Sequence, residues 1–245
     1  MIDELLLLLS KNDIPFIEAR LIVHQPTIKE ISLIGEESFH LGCQFLNFSV
    51  ENFNNLDKNS LSNMSDFDIF MSMINRKEKI RYKTDAMLVL TLMFPDYNIK
   101  IDNKQILFQK EDLQTSINSM NFNTFKQILS DIFCLNDVES GEKIYNPSGA
   151  YAKKIAEKFK KRKEILAKQK NIKAEKISIF SRYISILAVG EKKDMNELMD
   201  YSVFQLKDEF KRFQLKNNFD HYMKAMLAGA KDLEEVENWM DDIHP

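Results

Sequence analysis

Glycine, proline and cysteine are all scarce in this chain, with 6, 5 and 2 copies among 245 residues. So few turn formers exclude a many-stranded sandwich and favour helices. Cys43 and Cys134 are too few and too far apart for a disulfide framework, and such usage fits a reducing compartment. No apolar run is long enough to cross a bilayer. The leucines from Leu5 to Leu9 follow Asp3 and Glu4, where a signal peptide would be basic, and read instead as a short helix or strand on the core. Ala86 to Phe94 stops at Pro95 and reads as a buried helix. Also missing are a glycine-rich phosphate loop, a nucleophile elbow, a His-Glu-x-x-His helix and an EF-hand loop. The carboxylate pairs Glu36-Glu37 and Asp241-Asp242 are adjacent, so their side chains diverge. These absences weigh against an enzyme, and no catalytic residue, cofactor or bound metal is expected.

What is present suits a folded body: 44% hydrophobic and 29% charged residues, with net charge −3. A chain this long buries roughly 70–75% of its unfolded surface. Pro15 to Val23 is apolar and β-branched enough for one strand, and a short helix over Thr27 to Ile34 follows Pro26. The phenylalanines Phe39, Phe45, Phe48 and Phe53 recur in a polar setting that reads as helix and loop. Asp66 to Ile80 is helical in pattern, with Phe67, Phe70, Met71 and Ile74 inward. The cluster Arg76, Lys77, Lys79, Arg81 lies at its end, where cations suit the helix dipole. Thr84 or Asp85 is the expected cap of the Ala86–Phe94 helix. The alternation Tyr97, Ile99, Ile101, then Ile106 and Phe108 across Asp102-Asn103, predicts a β-hairpin. Phe122, Phe125, Ile128, Leu129, Ile132 and Phe133 return to helical spacing.

The turn-forming stretch 136–149 is the best domain boundary. It divides a mixed N-terminal domain, 1–140, from an all-helical C-terminal domain, 141–245. The fold expected is therefore α+β and mostly helical, with a small β-hairpin in the first domain. In the second, one helix is predicted from near Ser148, another over Ile177 to Leu187 closed by Gly190, and then a long helix from Asp194 to Ala230. Asp194 and Glu197 have capping spacing, and Gly229 stands where a left-handed residue ends a helix. Its apolar stripe runs Met199, Val203, Leu206, Phe210, Phe213 and continues offset through Leu215, Phe219, Tyr222 and Met226. A short acidic terminal helix carries the only tryptophan, Trp239, read as docking back on the long helix or as a partner anchor.

Charge is unevenly spread. From Lys153 to Lys176 there are eleven Lys or Arg against three Glu, a local net of +8, and the tail 231–245 carries one Lys against six carboxylates. The run Lys160, Lys161, Arg162, Lys163 is a candidate partner-binding surface, as are Phe210, Phe213 and Trp239. Nucleic acid is the weaker reading of the basic run, since stacking aromatics are not interleaved on it. A solvated helix face, an acidic protein partner and the chain's own tail are the others. His40 and Cys43, with His24, have ligand-like types, but a structural zinc site needs four good ligands.

Two passages resemble known proteins: HQPTIKEISLIGEESFHLGCQFL, His24 to Leu46, and ISIFSRYISILAVG with VFQLKDEFKRFQLKNNFDHYMKAMLAGAKDLEEVENWMDDIH. Both are similar to products of tailed bacteriophages of low-G+C Gram-positive hosts, described as tail assembly chaperones or minor virion structural proteins. The resemblance implies a non-enzymatic assembly protein in the host cytoplasm that binds the tape-measure protein, or a component retained in the neck, tail or baseplate. Its implied partner is a tail or other virion protein; self-association is a further expectation, and the residues themselves predict neither a membrane nor a cofactor.

Overall fold

A computed structural model describes residues 2–9, 13–48, 65–74, 80–102, 104–135, 178–229 and 236–241. The protein is α+β and mostly helical. Helix α1 (Glu4–Leu8) is capped by the Asp3 carboxylate and takes up most of the leucine run. The stretch read as one strand is a small hairpin: β1 (Ile14–Phe16) and β2 (Leu21–Val23) pair antiparallel around a 3-10 turn, Ile17–Ala19. Arg20 turns the chain by taking a left-handed conformation, φ 53°, and alternation alone could not reveal that reversal.

Helices α2 (Ile28–Ile34) and α3 (Glu36–Leu46) follow. The first begins with a capping box in which Thr27 and Glu30 satisfy each other's backbone N–H. Helix α4 (Asp66–Ile74) turns Phe67, Phe70, Met71 and Ile74 inward as their spacing requires. Residues 75–79, with Arg76, Lys77 and Lys79, lie outside the described residues. Helix α5 (Ile80–Met93) begins earlier than its apolar run suggests. Thr84 and Asp85 therefore sit inside it and do not cap it. The Thr84 hydroxyl donates back to the Ile80 carbonyl at 3.1 Å, a bond that keeps a threonine compatible with a helix interior.

Pro95 ends that helix, and a three-stranded antiparallel meander follows: β3 (Asn98–Asp102), β4 (Gln105–Lys110) and β5 (Leu113–Ile117). The predicted hairpin is its first two strands. The third escaped detection because only Ile117 of β5 is fully buried, so its pattern lacks apolar alternation. Helix α6 (Phe122–Phe133) is the centre of the core. Phe125 stacks near Phe16 and Phe94 (6.4 Å each), and Phe94 meets Phe108 edge-on at 4.7 Å. Phe122 packs on Phe67 and Phe70 (5.0 and 5.3 Å), while Phe133 meets Phe39 at 4.9 Å. Each such pair contributes about 0.5–1.5 kcal/mol beyond its buried area. Close approach of α3 to α5 depends on Gly42, where a methyl group would lie 2.4 Å from the Asp85 carbonyl oxygen.

Next among the described residues come α7 (Ile179–Gly190), α8 (Met195–Met199) and α9 (Val203–Leu227). The single helix expected from Asp194 to Ala230 is thus two. Ser202 and Gln205 form a second capping box that starts α9 afresh, and Asp200, Tyr201 and Ser202 make the corner. Asp194 caps α8 as expected, though through the Asn196 N–H and not by pairing with Glu197. Gly229 has φ 82° just beyond α9, the left-handed geometry its position implied.

The boundary placed at 136–149 lies outside the described residues apart from its consequences: residues on both sides share one core. Phe180, Ile184, Leu187, Leu198, Val203 and Leu206 belong to the same buried cluster as the phenylalanines of α6. Thr27 and Ser202, the two capping residues, face each other in an isolated antiparallel bridge, and the Ile28 N–H donates to the Tyr201 carbonyl at 2.9 Å. Lys207 donates to the Cys134 carbonyl at 2.9 Å, a cation at the open C-terminal end of α6.

Candidate functional site

Two clefts flank α7 and its neighbours, and they differ in chemistry. The first, about 630 Å³, lies between α2, α7 and α8. Its walls are apolar: Ile28, Ile31, Phe180, Ile184, Met195 and Met199, with serines of α7 along the rim. Ile31 and Phe180 are core residues whose outer surfaces form the floor, whereas Met195 is half-exposed. At one end Glu36 accepts hydrogen bonds from the Ile179 N–H at 2.8 Å and from His40 Nε2 at 3.3 Å. That carboxylate, supplied from α3, supports the first turn of α7, where negative charge suits the dipole.

The second cleft, about 360 Å³, runs along α9 beside α1, and charged and polar residues make up most of its lining. Lys193 donates to the Tyr201 hydroxyl at 2.8 Å and pairs with Glu209. Burial alone would lower the Lys193 ammonium, but its bonds to Glu209 and Tyr201 outweigh that and hold its pKa above the ordinary lysine value. Lys216 pairs with Glu191 at 3.3 Å, and Arg212 with Asp208 at 3.5 Å. The cations and carboxylates of this cleft largely neutralise one another.

The residues singled out by sequence fall in different places. Lys160, Lys161, Arg162 and Lys163 lie outside the described residues. Phe210 stacks on Tyr183 with centroids 3.9 Å apart, joining α9 to α7. Phe213 rests on Gly190, where even a methyl group would overlap its ring at 2.3 Å. Glycine at the end of α7 thus serves that aromatic contact. Phe213 and Trp239 both line the second cleft. Met195 and Met199 are walls of the apolar cleft, and Met199 also packs against the core. Ser202-x-x-Gln205 was the signal that could have separated their helix from α9, since a capping box marks a helix start.

His24 lies between Asp13 (3.6 Å) and Glu30 (3.2 Å), whereas His40 pairs with Glu36 on α3. Cys43 is buried among apolar side chains, which pushes its thiol far above the ordinary value and leaves it a weak nucleophile. Among the described residues no three His, Cys, Asp or Glu side chains are grouped to hold a metal, and no helix is long and apolar enough to cross a membrane.

Residues 168–244 match the model of a domain family, the YomV second domain. The family is Bacillus phage-derived, and the match points to a phage protein. It covers about a third of the chain and includes α7, α8 and α9, hence walls of both clefts. No curated protein and no solved structure matches the chain.

Proposed function

We propose that this is a non-enzymatic bacteriophage assembly protein, a tail assembly chaperone whose apolar cleft between α2, α7 and α8 holds a segment of the tape-measure protein. The observation that carries the reading is the position of that cleft: it is built largely from the stretch similar to a phage-derived domain. Its chemistry suits transient holding. Thioethers of Met195 and Met199 adapt to varied apolar side chains, and rim serines offer hydrogen bonds to a bound backbone. An apolar segment seated there would leave water without closing a covalent or acid–base cycle.

The test is co-expression of the full chain with the tape-measure protein of the same phage, followed by purification. The two should copurify, and Met195→Glu, which puts a charge on an exposed wall residue, should weaken the complex about tenfold or more with an unchanged melting temperature. Failure to copurify, combined with stoichiometric presence in purified particles, would instead assign a structural role in the neck, tail or baseplate.

A further inference from the structure

The segment 236–241 lies across the polar cleft. Its backbone is closed on itself: the Asp241 N–H donates to the Asn238 carbonyl at 3.1 Å, and the Met240 N–H donates to the Asn238 side-chain oxygen at 3.1 Å. The Asn238 amide also reaches the Asp241 carboxylate at 3.4 Å. A turn held by its own bonds keeps its shape wherever it binds, so little order must be imposed at the cleft. Trp239 shares the lining with Phe213 and Tyr201, and Arg212 Nη1 donates to the carbonyl oxygens of Trp239 (3.3 Å) and Asp241 (3.5 Å).

Among these contacts a cation reads the backbone and an aromatic side chain supplies the apolar surface. About 360 Å³ remains beside the indole, so the turn does not fill the space that holds it. We infer that this cleft is a recognition site for an aromatic-bearing turn that offers backbone carbonyls to Arg212, and that residues 236–241 occupy it in cis as a replaceable stopper. A partner protein presenting the same chemistry would bind by displacing them. The inference concerns a different cleft from the one assigned to the tape-measure protein, and neither depends on the other.

A fluorescently labelled peptide of residues 231–245 tests this on the full chain. It should bind the Trp239→Ala protein about tenfold tighter than the wild type, because the anchor no longer competes. Arg212→Gln in the Trp239→Ala background should abolish the gain. Since Trp239 is the only tryptophan, release can be watched directly: the same peptide unlabelled, with Phe replacing its Trp, should shift wild-type emission to the red as it binds. Equal affinity for wild type and Trp239→Ala, no binding to Trp239→Ala, or binding with unshifted emission would each overturn the inference.

Discussion

Helix α6 and helix α9 carry comparable aromatic stripes, yet they meet opposite fates. In α6 the stripe is covered from end to end, with Phe125, Leu129 and Ile132 wholly inaccessible. In α9 the buried residues are Val203, Phe204, Leu206 and Asp208, all within the first two turns. From Glu209 to Leu227 no residue is fully buried, although Phe210, Phe213, Leu215, Phe219 and Tyr222 continue at helical spacing. Periodicity shows which side of a helix is apolar. What covers that side is decided by elements distant in sequence.

The contrast can be broken most forcefully at the middle of α6. Phe125→Ala should lower unfolding free energy by about 3–5 kcal/mol, since the cavity would open between Phe16 and Phe94 where nothing can collapse freely. The same change at Phe219 should cost about 1 kcal/mol or less. Urea titration of both variants measures the gap, and equal losses would refute the contrast. Next in size is Gly42→Ala. Its added methyl would press on backbone, the Asp85 carbonyl, which cannot swing aside, so about 1–3 kcal/mol should be lost by overpacking.

How far these differences were readable in the chain depends on the distance over which each is decided. Helix α6, the first two strands of the meander, the short helix α2 and the left-handed Gly229 all follow from neighbours within a few residues, and sequence showed them. The hairpin at Pro15 to Val23 and the division between α8 and α9 were local too, but each was hidden by an apolar pattern compatible with a single element. Ser202 and Gln205 stand at capping spacing, but the apolar stripe runs on from Met199 to Val203 across them. The clefts were not readable at all. Ile31, Ile184 and Met199 come from three elements, and nothing in their spacing says that they share a wall. Of the aromatic residues singled out, Phe213 and Trp239 line one cleft, while Phe210 is engaged with Tyr183.

A smaller effect is expected where α9 begins. Ser202→Ala removes an N-cap and should cost about 1 kcal/mol, seen as a lower urea midpoint with an unchanged slope. The partner cap at α2 adds a pH signature. Burial would raise the Glu30 carboxyl, but hydrogen bonds from the Thr27 backbone and hydroxyl and from His24 prevail and hold it below its ordinary value of 4.5. The charged form is therefore the stabilising one: its contribution is complete above that value and is lost as pH falls through the lower folded pKa. Glu30→Gln should be less stable than wild type near neutrality, and the two denaturation midpoints should converge in acid. A gap that widens on acidification would contradict this assignment.

The meeting of Thr27 with Ser202 has a kinetic consequence. Two helix starts are hitched at one point, so fraying of either exposes the amides of both: Ile28, whose N–H is held by Tyr201, and Leu206, whose N–H is held by Ser202. Hydrogen–deuterium exchange at these two amides should proceed with matching protection factors, although 178 positions separate them along the chain.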